Sequence, residues 1–161
     1  MTEKDLYEIG EIPPLGHVPE KMYAWAIRKE REGNPDKAMQ VEAVPTWDLG
    51  PKDVLIFNMA AGVNYNGVWA SLGVPVSMFD VHKNDFHVAG SDAAGVVWAV
   101  GKDVKNWKVG DEVVVHCNMT DGDDEECNGG DPMYSNTQKI WGYETPDGSF
   151  AQFSRVQAQQ L

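Results

Sequence analysis

The sequence is poor in cysteine, in basic residues and in long apolar runs, and each shortage excludes a class of protein. Only two cysteines, Cys117 and Cys127, occur among the 161 residues, which is too few for a disulfide framework. Lysine and arginine number 13 against 25 acidic residues, so the net charge is −12. This surplus of negative charge argues against a nucleic-acid partner, because contacts to phosphates require lysine and arginine.

Signals for a membrane or for secretion are missing as well. No run approaches the roughly 18 apolar residues of a membrane span. The polar residues 1–6 lack the apolar centre of a signal peptide. We therefore expect a cytoplasmic protein with reduced thiols and no membrane partner.

A dinucleotide-binding loop is the third missing feature. Residues 95–101 are rich in glycine and valine, but they lack the Gly-x-Gly-x-x-Gly spacing, and no helix is expected to follow them. No other segment has the pattern of a loop that holds phosphates. A nucleotide cofactor is therefore not expected to find its binding residues in this chain.

Apolar and turn residues along the chain predict a mainly β fold. The prolines in residues 1–21 favour an extended N-terminal arm. Apolar segments predict antiparallel strands at 22–28 and 38–44, joined by a turn cluster at 32–36. The continuous apolar run at 53–61 is typical of a central strand.

One short helix and further strands complete the predicted domain. The helix starts at Asn66 or Gly67 and ends at Gly73. The remaining segments are, in order, a loop at 74–86, a strand at 88–100 interrupted at Gly90 and Gly95, a strand at 111–116, a polar loop at 118–140 and a closing strand at 148–157. Short strands with many glycines between them predict a partly open β-barrel.

Three segments carry a resemblance to a known family. They are residues 5–17, residues 59–66 (Met-Ala-Ala-Gly-Val-Asn-Tyr-Asn) and residues 140–145 (Ile-Trp-Gly-Tyr-Glu-Thr). Over essentially its whole length the chain resembles the crotonyl-CoA carboxylase/reductases of the medium-chain dehydrogenase/reductase superfamily. The resemblance implies that residues 22–161 are the GroES-like, substrate-side part of the catalytic domain, with short helices. It also implies that the nucleotide-binding Rossmann domain is absent from this chain.

The function implied by the resemblance is a reductive carboxylation. NADPH delivers a hydride to an α,β-unsaturated acyl-CoA such as crotonyl-CoA, and the resulting enolate attacks CO2 to give ethylmalonyl-CoA. The implied partners are the acyl-CoA, CO2 and the missing nucleotide-binding half, in a homo-oligomer when complete, and the chain alone is expected to be inactive. Two alternatives remain open: a plain enoyl-CoA reductase of the acrylyl-CoA type, and a non-catalytic GroES-like binding module.

Asn66 is the first candidate catalytic residue. From the residues alone, Asn66-Gly67 is a turn pair, and Asn66 favours a helix cap. The resemblance implies instead that the Asn66 amide donates a hydrogen bond to CO2, because the CO2-contacting asparagine of the family falls on this position. Asn64 is expected to be structural.

Glu144 and Tyr143 are the other two candidates. From the residues alone, Glu144 favours an exposed position at a turn. The resemblance implies that its carboxylate fixes a water and a histidine supplied by the missing half. It also implies that the flat face of Tyr143 shields the site, where the Tyr143 hydroxyl then needs a partner or water.

No metal site is expected in this chain. Zinc-dependent relatives carry a cysteine at the position of Asn64 and a histidine at that of Ser91, and asparagine is a poor zinc ligand. The two cysteines cannot supply a closed site of four ligands. His87 and His116 are expected to be structural.

Overall fold

The computed structural model describes residues 3–161, and the first two residues of the predicted arm lie outside the described residues. Within this range the strands are β1 Lys21–Ile27, β2 Gln40–Pro45, β3 Asp53–Ala61, β4 His87–Val88, β5 Ala93–Val100, β6 Glu112–Val115, β7 Asn118–Met119, β8 Lys139–Ile140 and β9 Phe153–Gln157. The helices are α1 Pro35–Ala38, α2 Tyr65–Leu72 and α3 Met78–Val81, with 3-10 turns at Lys29–Arg31, Pro132–Tyr134 and Ala158–Gln160. No helix in the described range is long and apolar enough to cross a membrane.

The strands of residues 3–161 form two larger antiparallel sheets and one small pair. One sheet has the order β2–β1–β4, the second has the order β6–β5–β3–β9, and β7 pairs with β8. The segment before β9 joins the two larger sheets, since Ala151 forms a bridge with Ala24, and Asp147 forms one with Val88. The sheets do not close on each other, so the predicted partly open β-barrel is confirmed.

β3 is a central strand of the four-stranded sheet, and its predicted bounds of 53–61 are confirmed. Successive side chains of a strand point to opposite faces. Leu55 and Phe57 therefore enter one apolar core cluster, while Val54 and Ile56 enter another. Burial on both faces explains why the apolar run is continuous.

The interruption predicted at Gly90 in the strand at 88–100 is confirmed. The chain forms β4 and β5, with a break around Gly90, whose φ of +103° lies in the left-handed region. No break occurs at Gly95, which lies inside β5. A Cβ on Gly95 would lie 2.2 Å from the carbonyl oxygen of Phe57, so close contact between two backbones is the reason for this glycine.

Three other predicted segments differ from the structure. The loop at 74–86 contains the four-residue helix α3, and the polar loop at 118–140 begins and ends with β7 and β8. The closing strand predicted at 148–157 begins only at Phe153. The residues before it form hydrogen bonds to the segment 88–90, and this pairing places both segments beside the site described next.

Candidate active site

A cluster of polar side chains lies where β3 leads into α2. The helix begins at Tyr65 because Asn64 caps it: Asn64 Oδ1 accepts a hydrogen bond from Asn66 N at 2.8 Å. The Nδ2 group of Asn64 donates to Ser91 Oγ at 3.2 Å and to the carboxylate of Asp92. Asn64 therefore has a structural role in capping α2.

The side chain of Asn66 does not cap α2 but faces Ser91. The Nδ2 position of Asn66 lies 2.9 Å from Ser91 Oγ, and Ser91 is 1% exposed. Asn66 is half-buried. The opposite end of its amide has no hydrogen-bond partner among residues 3–161, and is therefore available to a ligand.

A backbone hydrogen bond joins the turn at 140–145 to Cys117, which lies just after β6. Trp141 N donates to the carbonyl oxygen of Cys117 at 2.9 Å. The Cys117 thiol lies near Asp92: burial raises the pKa of this thiol, and the charge of Asp92 adds to the effect. Cys117 thus links the turn to the surroundings of Asp92, a member of the polar cluster.

A second contact between the two regions is made by backbones, and we call it the glycine seam. A Cβ on Gly142, whose φ is +70°, would lie 1.9 Å from the carbonyl oxygen of Gly90. A Cβ on Gly148 would lie 2.6 Å from the same oxygen, so only glycine allows these backbones to pack. Ser91 follows Gly90, and Tyr143 follows Gly142, so the seam sets the spacing between the polar cluster and the turn.

Glu144 closes its own turn. Its backbone N–H donates to the Ile140 carbonyl oxygen at 2.7 Å, and its Oε2 accepts from Ile140 N at 2.7 Å. The residue is half-buried. Its Oε1 has no hydrogen-bond partner within the described part of the chain. One carboxylate oxygen therefore holds the turn, and the other remains available to a water or to a donor from outside the chain.

Tyr143 reaches from the turn to the end of α2. Its hydroxyl donates to the Val74 carbonyl oxygen at 2.9 Å, which is the partner that this hydroxyl needs. The ring packs against an apolar cluster that includes Ala70 of α2. Burial, and then the charge of Glu144, raises the pKa of Tyr143, so its hydroxyl remains protonated and keeps this hydrogen bond.

Two histidines that the sequence did not predict as a pair lie behind the same turn. His82 Nε2 lies 3.0 Å from His87 Nδ1. His82 Nδ1 accepts from Asn84 N at 3.3 Å, so its Nε2 carries the proton and donates to His87. Burial lowers the pKa of His87 to about 3, with His82 as the second cause. The His87 ring lies near the backbone of Gly142, and its buried Nε2 has no hydrogen-bond partner among the described residues.

A cavity of about 760 Å³ lies away from these side chains. The arm residues 9–12, β1 and the end of β3 line much of it, and neither Asn66 nor Glu144 does. Glu144 borders a smaller cavity of about 350 Å³, which it shares with the charged residues Lys139 and Arg155. This cavity provides space beside Glu144 for a polar ligand or water.

Residues 3–161 contain no group of three or more His, Cys, Asp or Glu side chains placed to hold a metal ion. Asn64 and Ser91 stand at the positions of two zinc ligands in zinc-dependent relatives, and here Asn64 Nδ2 donates a hydrogen bond to Ser91 Oγ. The absence of zinc stays a prediction that elemental analysis can test.

Comparisons with known proteins agree with this architecture. Residues 50–161 match the alcohol dehydrogenase GroES-like domain family. The crotonyl-CoA carboxylase/reductase of Cereibacter sphaeroides is 74% identical over 159 residues, which are 99% of this chain and 37% of that protein. A solved crotonyl-CoA carboxylase/reductase has a TM-score of 0.93 at 71% identity, covering 98% of this chain and 37% of the other. Another, in complex with NADP, has a TM-score of 0.88 at 48% identity, covering 98% and 40%.

The chain belongs to the alcohol dehydrogenase GroES-like domain family. Its predicted resemblance to the crotonyl-CoA carboxylase/reductases is confirmed, at 74% identity to one of them. The chain spans 37% of the length of that curated relative. What it shares with the relative is therefore the GroES-like region that carries the polar cluster and the 140–145 turn.

Proposed function

We propose that this chain forms the GroES-like, substrate-side part of an NADPH-dependent reductive carboxylase. Crotonyl-CoA, or a related unsaturated acyl-CoA, would be reduced and carboxylated to a product such as ethylmalonyl-CoA. The observation that carries the proposal is that Asn66 and Glu144 belong to the two regions joined at the glycine seam. Residues 1–21 are the arm of this part and residues 22–161 its barrel, and the complete enzyme is a cytoplasmic homo-oligomer.

The proposed reaction needs NADPH, which supplies the hydride when bound. In residues 3–161 the connection from β3 to α2 contains a single glycine, Gly62, and Asn64 occupies the helix N-terminus as its cap. This connection does not fit a pyrophosphate, which needs a glycine-rich turn and free N–H groups. We assign the cofactor to a nucleotide-binding half outside these residues.

The residues of this chain act when the enolate meets CO2. The electron pair of the enolate forms a bond from the α-carbon to the carbon of CO2, and one π bond of CO2 becomes a lone pair on the new carboxylate. An N–H of Asn66 directed at this oxygen stabilises the charge as it develops. Glu144 Oε1 holds the water and the histidine donor, and the ring of Tyr143 shields the enolate from further water. Protonation of the α-carbon competes and gives the saturated acyl-CoA.

The test is the product ratio of the complete enzyme at fixed bicarbonate. Asn66→Leu removes the donor, and a lost hydrogen bond to a developing charge costs about 1–3 kcal/mol. The ratio of carboxylated to saturated product should therefore fall roughly five- to 150-fold while NADPH oxidation continues. Glu144→Ala should shift the ratio in the same direction, but less, because it acts through water.

Asn106→Leu is a matched control, because Asn106 is an exposed residue outside the site. It should leave the product ratio unchanged. If Asn66→Leu slows both products equally, Asn66 is a structural residue, and the proposed contact to CO2 is wrong. A wild-type enzyme that forms only the saturated acyl-CoA at high bicarbonate would establish the plain enoyl-CoA reductase instead.

A further inference from the structure

The orientation of the Asn64 amide follows from its partners. Its Oδ1 must accept, because the atom opposite, at 2.8 Å, is the backbone N–H of Asn66. Its Nδ2 must donate, because a carboxylate such as that of Asp92 only accepts. In the contact of 3.2 Å between Asn64 Nδ2 and Ser91 Oγ, the serine oxygen is therefore the acceptor.

The hydroxyl hydrogen of Ser91 needs an acceptor of its own. Ser91 is 1% exposed, and a buried hydroxyl hydrogen without a partner is unfavourable. Within residues 3–161, Ser91 Oγ contacts only the amides of Asn64 and Asn66. The Asn66 amide, at 2.9 Å, can accept this hydrogen when its Oδ1, and not its Nδ2, faces the serine.

We propose that Ser91 is a positioning residue that holds Oδ1 of Asn66 and so turns both N–H groups of this amide toward CO2. The two ends of a side-chain amide have similar size, so hydrogen bonds decide which end faces the serine. The carboxylate of Asp92 fixes the orientation of the Asn64 amide, and this amide fixes the direction of the Ser91 hydroxyl hydrogen. The hydroxyl in turn fixes the orientation of the Asn66 amide. The inference rests on the proposed function of Asn66: an amide turned the other way would present its oxygen to the developing carboxylate and repel it.

Ser91→Ala in the complete enzyme tests this role. Without the hydroxyl the Asn66 amide turns freely, and the ratio of carboxylated to saturated product at fixed bicarbonate should fall roughly two- to tenfold. NADPH oxidation should continue, because the serine does not act on the reduction. Ser91→Cys keeps a side chain of similar size with a weaker donor. It should give a smaller fall, and it serves as the second variant if the alanine variant does not fold.

Ser71→Ala is the matched control. Ser71 is a buried serine on α2, and its hydroxyl donates to the Val68 carbonyl oxygen at 2.9 Å without touching Asn66. This change should leave the product ratio unaltered. In an Asn66→Leu background, Ser91→Ala should have no further effect on the ratio, because the serine acts only through that amide.

The outcomes separate this inference from the proposed function. If Asn66→Leu lowers the product ratio but Ser91→Ala does not, the positioning role is wrong while the proposed function stands. If Asn66→Leu leaves the ratio unchanged, the proposed contact of Asn66 with CO2 is wrong, and the positioning role fails with it. An equal fall in Ser71→Ala would show a general effect of losing a buried hydroxyl, and would also overturn the role of Ser91.

Discussion

Acidification should destabilise this protein through His87. Burial holds the pKa of His87 at about 3, against an ordinary value of 6.5. Between these two pKa values the unfolded chain binds a proton at His87 and the folded chain does not. The free energy of unfolding therefore decreases as the pH falls from about 6.5 to about 3. For these two pKa values the loss is about 2 kcal/mol between pH 7 and pH 5, and about 5 kcal/mol over the whole range.

Urea unfolding at pH 7 and at pH 5 measures this loss. His87→Gln replaces the ring with a polar side chain that does not titrate, so the difference in unfolding free energy between the two pH values should shrink by about 2 kcal/mol. His116→Gln is the control, because it makes the same change at an exposed residue. The reasoning is refuted if the wild type and His87→Gln lose the same stability on acidification.

Two further predictions concern metal content and the glycine seam. Elemental analysis after dialysis should find well under one zinc per chain, since an amide and a hydroxyl replace the expected ligands, and a stoichiometric value would overturn this. Gly142→Ala should lower the unfolding free energy by about 2–4 kcal/mol, because its Cβ would meet the Gly90 carbonyl oxygen at 1.9 Å. Gly10→Ala, also at positive φ but with no atom within 4 Å of the added Cβ, should cost less, and equal losses would mean that the seam is not tightly packed.

Elements with strong local signals could be predicted from the sequence. The apolar run of β3 predicted both its bounds and its central place, and Gly73 ends α2 with a φ of +66°, as a left-handed glycine does. The interruption at Gly90, which separates β4 from β5, could be predicted, but the absence of a break at Gly95 could not. Gly90 and Gly95 carry the same signal in the sequence, and their difference depends on contacts with Phe57 and Phe150, which are distant in the chain.

The sequence predicted which residues belong to the candidate site, but not which hydrogen-bond partners they have. Asn64 and Asn66 are the same residue type beside the same helix, so the sequence could not select Asn64 as the cap. Ser91 was notable only as the replacement for a histidine, since its two amide partners lie 27 and 25 residues away. His82 and His87 flank an irregular segment in which no periodic pattern applies.

At the glycine seam, the backbone contact that sets the spacing of the site does not depend on the side chain at position 143. The close contact between the main chains of Gly142 and Gly90 sets the spacing between the turn and the polar cluster. Exchanging the side chain at position 143 therefore need not move Glu144 relative to Ser91. The Tyr143 ring packs against the apolar cluster with Ala70, and its hydroxyl, which phenylalanine lacks, adds a hydrogen bond to Val74. Variation at this one position can therefore change the packing against Ala70 and the link to Val74, while the backbone contact that holds the 140–145 turn is kept.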